Sequence, residues 1–426
     1  MRQTAAAVCL AVLAAASASA ADMPSDEAGD ADALSLADKA PSEKAAAQSW
    51  RVFGEGVLAR SSFRNPSSSQ DEGRASIDLR FDSTVAPTLR AVLSDRLDLV
   101  HRGEGVLPRA DNVNTVREAY LSWHLTPDAI TDVGRINLRY GAAFGYNPTD
   151  FFKADALRSI VSIDPVSLRE NRQGTVVVQA QKLWTGSSLT ATYSPRLGDS
   201  PNMSTFSLDF GATNPRNRWL LVGSHKFTEE LNPQILLYGG EQTPTQVGMN
   251  LSGLVNTSTV AYLEVAAGRG RNLIDEAVAS PASEHMQQRA AAGLTYTTSF
   301  NLSLTAEYEY NSAAPTRGQW DTFWGGGPGN VSAFLATAQM KQDLPVRDAL
   351  FLYGFWKDVG IRSLDVSAFV RWDSQTHSRE QWLETRYHWS KTEVALRWQQ
   401  YSGAFTSVYG SVPQSRQLDL LLRLFL

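Results

Sequence analysis

Arginine and carboxylate side chains alternate with apolar residues at a period of two in several stretches of this chain, a pattern suited to recognising ions. In 74–82, Ala75, Ile77, Leu79 and Phe81 oppose Ser76, Asp78, Arg80 and Asp82. In 87–99, Leu89, Ala91, Leu93, Leu97 and Leu99 oppose Arg90, Ser94, Arg96 and Asp98, with Asp95 breaking the apolar face. Arg135 and Arg139 share one parity, and Arg386, Arg397 and Arg423 fall on the polar faces of late segments. Arginine outnumbers lysine 31 to 8. A guanidinium stays charged and presents a planar fork to carboxylate or phosphate, so a one-sided row of these groups would select anions and steer them. Asp78, Asp82, Asp98, Glu118, Glu384 and Glu393 share those faces. The other reading is therefore an internally paired network that stiffens a wall, and it is the simpler one for most individual residues.

Such faces need elements of matching period. Dyad alternation in segments of about ten residues, broken by turn residues, specifies strands with an apolar and a polar side. The chain ends on such a segment: Leu418, Leu420, Leu422, Leu424 and Leu426 alternate with Gln417, Asp419, Leu421, Arg423 and Phe425. Charges of both signs on the inner face suit a wet lumen and not a dry core. Across a bilayer every backbone donor must be paired within the protein, which leaves helices or closed barrels. No window holds eighteen consecutive apolar residues, so the expected fold is all-β, an antiparallel transmembrane β-barrel.

Nineteen segments qualify as strands, and bacterial single-chain barrels have even numbers. With both ends of the barrel periplasmic, the long connections 61–73, 100–114, 142–172, 270–286, 311–347, 373–379 and 402–414 fall outside. The counts from the two ends collide between 195 and 217. Assigning 204–211 to an extracellular loop leaves eighteen strands; sixteen or twenty also fit within the error of boundaries read from sequence. Trp50, Trp123, Trp184, Trp356 and Trp389 then lie at periplasmic ends, and Trp219, Trp372 and Trp382 near outer ends, as two interfacial girdles require.

Residues 1–20 read as a signal peptide, with Arg2, an apolar stretch from Ala5 to Ala16 and the Ala18-Ser19-Ala20 cleavage signal. Cys9, the one cysteine, sits inside it, so no disulfide is expected in the mature chain. Residues 21–49 carry seven acids and two bases and have too few aromatic or β-branched residues to fold alone, as expected of a disordered periplasmic tail. Residues 50–426 form the barrel.

The stretch Gly134-Arg135-Ile136-Asn137-Leu138-Arg139-Tyr140-Gly141, then Tyr146-Asn147-Pro148-Thr149-Asp150-Phe151-Phe152, Arg172-Gln173-Gly174 and Tyr193-Ser194-Pro195, resembles a pattern in Gram-negative outer-membrane barrel proteins of the porin-like, alginate-export type. Gly248-Met249-Asn250-Leu251-Ser252 and Tyr262-Leu263-Glu264 are similar to the same pattern. The resemblance covers most of 50–310 and implies an outer-membrane channel or export pore, without a substrate. Physically, Asn147-Pro148-Thr149-Asp150 is a turn. Either it merely opens the loop 142–172, or that loop, with Asp150, Lys153, Asp155, Arg158, Asp164, Arg169, Glu170 and Arg172, folds into the barrel and narrows it.

Six histidines are scattered, with no metal-ligand spacing, nucleophile elbow or phosphate loop; no catalytic residue, metal or cofactor is expected. His124 and His388 read as lumen or turn residues. A near-neutral body without a basic run gives no support for nucleic acid. The expected function is an outer-membrane channel for small polar or anionic solutes, with an export pore for an acidic exopolysaccharide or a structural, adhesive barrel as alternatives. Expected partners are outer-membrane lipid and lipopolysaccharide, the solute, and the barrel-assembly machinery. Monomer and trimer fit the sequence equally.

Overall fold

A computed structural model describes residues 49–64, 68–102, 112–228, 231–280 and 284–426. The signal peptide expected over 1–20 and, but for Ser49, the tail expected over 21–49 lie outside the described residues. Eighteen antiparallel strands form one closed sheet in which each strand pairs with its sequence neighbours and the last with the first. The first six are β1 (Trp50–Phe63), β2 (Ser68–Ala86), β3 (Leu89–Arg102), β4 (Asn112–Thr126), β5 (Ala129–Ile136) and β6 (Thr175–Trp184). The next six are β7 (Ser187–Ser194), β8 (Arg218–His225), β9 (Gln234–Gly240), β10 (Thr243–Asn256), β11 (Thr259–Gly270) and β12 (His285–Thr297). The last are β13 (Leu302–Asn311), β14 (Asp348–Trp356), β15 (Leu364–Asp373), β16 (Ser378–His388), β17 (Thr392–Ser402) and β18 (Gln414–Phe425). Closure pairs Phe53 with Phe425 through to Phe63 with Gln414, so no edge is left to seek a partner.

The connections 137–174, 195–217, 271–284, 312–347 and 403–413 all lie at one end of the barrel, with Trp50 and Phe425 at the other, as the sequence predicts; the connection expected over 61–73 is mostly strand, because β1 and β2 pair out to Phe63 and Ser68. Segment 204–211 is not a strand; it runs in the β7–β8 loop into the short helix α2 (Phe210–Thr213). The other helices also lie in long connections: α1 (Pro165–Glu170), α3 (Leu273–Ala277), α4 (Arg317–Trp324) and α5 (Pro328–Lys341). Asp164 caps α1 by accepting from Ser167 N, and Thr316 with Gln319 closes a capping box at α4.

The outward face carries the exposed apolar band, including Leu58, Ile77, Leu121, Leu304 and Leu396. Trp50, Trp123, Trp184, Trp356 and Trp389 are exposed at the short-turn end and Trp372 at the other. Trp382 departs from the expected girdle. It has the inward parity of Glu380 and Glu384, is buried, and packs on Phe369 at 5.8 Å between ring centroids. β5 ends at Ile136, three residues before Arg139. Gly134 has φ +135°, a conformation that L side chains rarely adopt, and a Cβ there would sit 2.3 Å from Ala119 O. The chain leaves the wall just beyond it.

Candidate functional site

The inner face has sectors of different chemistry. From β16 round through the closure to β4 it is charged and densely paired. Glu55 accepts from Arg74 at 3.0 Å, Arg96 at 2.7 Å and Arg423 at 2.9 Å. Arg96 also meets Asp98 at 2.9 Å and Asp78 at 3.4 Å, and Arg117 meets Asp78 at 2.6 Å. Glu384 joins Arg386 at 2.8 Å to Arg397 at 2.5 Å, while Glu393 joins Arg386 at 2.6 Å, Arg423 at 3.1 Å and His388 at 3.1 Å. Arg90 grips Asp82 through two bonds of 2.6 Å; Arg80 is only 3.7 Å from the same carboxylate and 44% exposed. The arginines are thus a paired lattice for the most part. A row of unopposed cations is not what the register builds.

Arg135 is not on the lumen face. It pairs with Ala119 and shares the parity of Val133, which is exposed on the outside. Its guanidinium donates to Gly174 O at 2.8 Å and Leu208 O at 2.5 Å and lies 5.2 Å from the Phe210 ring centroid. Because β5 stops at Ile136, strand periodicity does not carry over to Arg139. Arg139 is half-buried on the departing segment and makes no hydrogen bond or ion pair among the described residues.

The segment that leaves the wall after β5 crosses the lumen. Ala143 N donates to Glu264 at 2.5 Å, and Glu264 also accepts from Asn147 at 3.2 Å and Thr149 at 3.1 Å. Glu307 accepts from the backbone N–H groups of Phe144 at 2.8 Å, Gly145 at 3.2 Å and Tyr146 at 2.9 Å, and from Tyr262 Oη at 2.7 Å. Both acids are fully buried on β11 and β13, the far side of the barrel from β5. Neither has an ion-pair partner among the described residues. Three backbone N–H groups compensate the Glu307 charge, and one backbone N–H with the Asn147 amide and Thr149 hydroxyl compensates that of Glu264. Gly141 makes the approach feasible: its φ is +101°, and a Cβ would stand 2.2 Å from Glu264 Oε1. Further along, Phe151 stacks on Tyr238 at 4.9 Å, Arg218 lies 4.8 Å from the Phe152 ring centroid, and Arg397 reaches Val161 O at 2.9 Å. Phe144 and Ile163 pack on Phe351, Phe369 and Trp382, which explains the inward tryptophan.

Loop 137–172 therefore lies inside the barrel, and the second long loop meets it there. Asp155 N donates to Met340 O at 2.8 Å, Arg172 Nε to Gln342 at 2.6 Å, and Tyr146 Oη to Asp343 at 2.5 Å, with Arg289 on Asp343 at 3.2 Å. Asp150 pairs with Arg172. Lys153 donates to Asn147 O at 2.9 Å with its ammonium 4.6 Å from the Tyr146 ring centroid; burial pushes its pKa down to about 8. Burial pushes Asp164 up to about 6. Arg158 runs outward and donates to the carbonyls of Asn114 at 2.7 Å and Ser207 at 2.6 Å. Of the eight candidate loop residues, six are buried in loop packing, exposed Asp155 contributes through its backbone, and Glu170 is exposed. Among the described residues no group of three or more His, Cys, Asp or Glu is placed to hold a metal.

A closed eighteen-stranded barrel with an inward loop is the architecture of porin-type outer-membrane barrels. Among solved structures the chain is similar to OccAB1 of Acinetobacter baumannii, with a TM-score of 0.56 at 11% identity over 88% of this chain and 96% of that one. It is likewise similar to OccK2 (OpdF) of Pseudomonas aeruginosa in complex with glucuronate, with a TM-score of 0.55 at 11% identity over 89% and 97% of the two chains. OccK5 (OpdH) of the same organism gives a TM-score of 0.55 at 11% identity over 88% and 97%. No family model and no curated protein matches the sequence. Loop anchors Glu264 and Glu307 were visible only as inward-parity acids; nothing local in the sequence says that a segment more than a hundred residues away supplies their donors.

Proposed function

We propose that this protein is a porin-like channel of the Gram-negative outer membrane passing small polar, preferentially anionic, solutes. The observation that carries this reading is the division of the lumen. The constriction loop is bound to the acidic sector at Glu264 and Glu307; it meets the charged sector at Arg397, which donates to Val161 O at 2.9 Å, and at Arg117, which donates to Asn171 at 3.1 Å, while no hydrogen bond from it reaches β1–β3 among the described residues. The acids of the far sector are thereby occupied. The passage runs along the arginine-bearing side, where Arg80 is 44% exposed and lies 3.7 Å from the Asp82 carboxylate that Arg90 already holds; Arg139, on the departing segment, has no ion-pair partner among the described residues. The bound glucuronate in OccK2 supports a carboxylate-bearing solute for this fold.

A loop anchored at so many points disfavours a wide export pore for a polysaccharide, and the same crowding gives an adhesive role no specific support. We read the barrel as non-catalytic, with lipid and lipopolysaccharide around the apolar band and the barrel-assembly machinery as its folding partner. Proteoliposome uptake tests the solute class. Glucuronate should enter faster than glucose of similar size; equal rates, or exclusion of both, would remove the anionic preference.

A further inference from the structure

We propose that residues 199–208 form a lipid-facing flap, a substitute piece of barrel wall whose Met203, Phe206 and Leu208 side chains sit among the acyl chains of the outer leaflet. Because β5 ends early, the upper half of β4 has no strand on the side away from β3; its partners there are loops. Gly174 N donates to Arg117 O and Asn114 N to Thr205 O, each at 2.9 Å. The flap is thus paired in the plane of the wall. Its depth follows from register: Asn114 stands opposite Leu97, two residues deeper than the exposed Leu99, so Thr205 lies level with the apolar band.

The outward face beneath the flap is polar. Asp95, the residue that breaks the apolar pattern of β3, accepts from Asn114 Nδ2 at 3.1 Å, and Arg135 sits under Leu208 O and the Phe210 ring. In hydrocarbon such groups have no water to bond. The flap turns carbonyls toward them and apolar side chains away. Arg158 collects the carbonyls of Asn202 at 3.4 Å, Ser204 at 2.8 Å and Ser207 at 2.6 Å, and Arg135 and Gln173 take that of Leu208. Met203, Phe206 and Leu208 are left 54%, 73% and 47% exposed. Exposed apolar side chains with inward-turned carbonyls, continuous with a lipid band, fit acyl chains. Arg158 comes from the constriction loop, so the flap and the loop in the lumen are held by one side chain.

The proposal rests on the membrane reading but not on solute passage, and the test separates them. A nitroxide is attached at Phe206→Cys in a Cys9→Ser background of the full chain, refolded into phosphatidylcholine vesicles, and its collisions with oxygen and with a water-soluble nickel chelate are compared. Leu121→Cys on the outward face and Ala279→Cys in the β11–β12 loop are the lipid and water standards. The expected oxygen-to-nickel ratio at 206 matches that at 121 and is several-fold above that at 279. A ratio at 206 matching 279 overturns the flap, whereas a watery label at 121 overturns the membrane reading itself. Protection from both reagents, with spin–spin broadening that disappears on dilution with unlabelled protein, would assign the surface to a second copy of the chain and also overturn the proposal. Adding Arg158→Gln should lower the ratio at 206 while leaving 121 unchanged; no change at 206 would show that Arg158 does not hold the flap.

Discussion

The two sides of the lumen both carry carboxylates, and they use them in opposite ways. On β1–β3 and β16–β18 the acids Glu55, Asp78, Asp98, Glu384 and Glu393 each meet arginine, and the wall satisfies itself. On β11 and β13, Glu264 and Glu307 have no ion-paired arginine among the described residues and are satisfied by N–H and O–H donors of a loop arriving from across the barrel, with Tyr262 Oη adding one bond to Glu307. A wall that pairs its own charges needs no donors from the loop; a wall whose acids lack cations takes its donors from one. On the function proposed above, the passage lies beside the wall that pairs its own charges.

The largest expected effect is on the recruiting wall. Each charge-assisted bond contributes about 1.5–3 kcal/mol, so Glu264→Ala with Glu307→Ala should undock residues 141–149. Single-channel conductance should then rise and become noisier while the heat-modifiable barrel persists; unchanged conductance would mean that the loop is held elsewhere. On the self-paired wall, Arg96→Ala takes the closest arginine from Asp98 and one partner each from Glu55 and Asp78, which keep Arg74, Arg423 and Arg117; it should cost about 1.5–3 kcal/mol, read as a lower denaturant midpoint, with reversal potential moving toward cations.

A smaller effect follows from Lys153. Its folded pKa, about 8, lies below the ordinary 10.5. Below pH 8 both states are protonated and the full cost of burying the ammonium is present. Between pH 8 and 10.5 the unfolded state binds more protons, so stability rises, by up to about 3 kcal/mol. Unfolding midpoints measured across that window should increase, and Lys153→Met should abolish the share due to this group. Asp164, raised to about 6 from 3.8, runs the other way, contributing stability that is lost as pH climbs through that interval. The smallest effect on stability is expected at Arg139→Ala, within about 0.5 kcal/mol because no ion pair is broken. It should nevertheless weaken anion preference, and a large loss of stability there would show a partner for Arg139.

Strand number, inward parity and the long-loop end were legible because a period of two reports them directly, residue by residue, as at Glu307 and Glu309. The demotion of 204–211 was legible from topology alone. The place where strand periodicity stops was not. Gly134 and Gly141 permit a departure from the sheet but do not announce it, so Arg135 was assigned to the lumen although it faces out, and Trp382 to a girdle although it lines the lumen. The pairing of each arginine depends on register between strands distant in sequence, such as Arg423 with Glu55. Loop docking depends on contacts across the full diameter of the barrel.

Reversal potential across a planar bilayer in a salt gradient tests the division of the lumen most directly, measured on the wild type and on Glu264→Ala/Glu307→Ala. Anion preference in the wild type, weakened as conductance rises in the double variant, is the predicted result. A cation-preferring or non-conducting wild-type barrel would contradict the account.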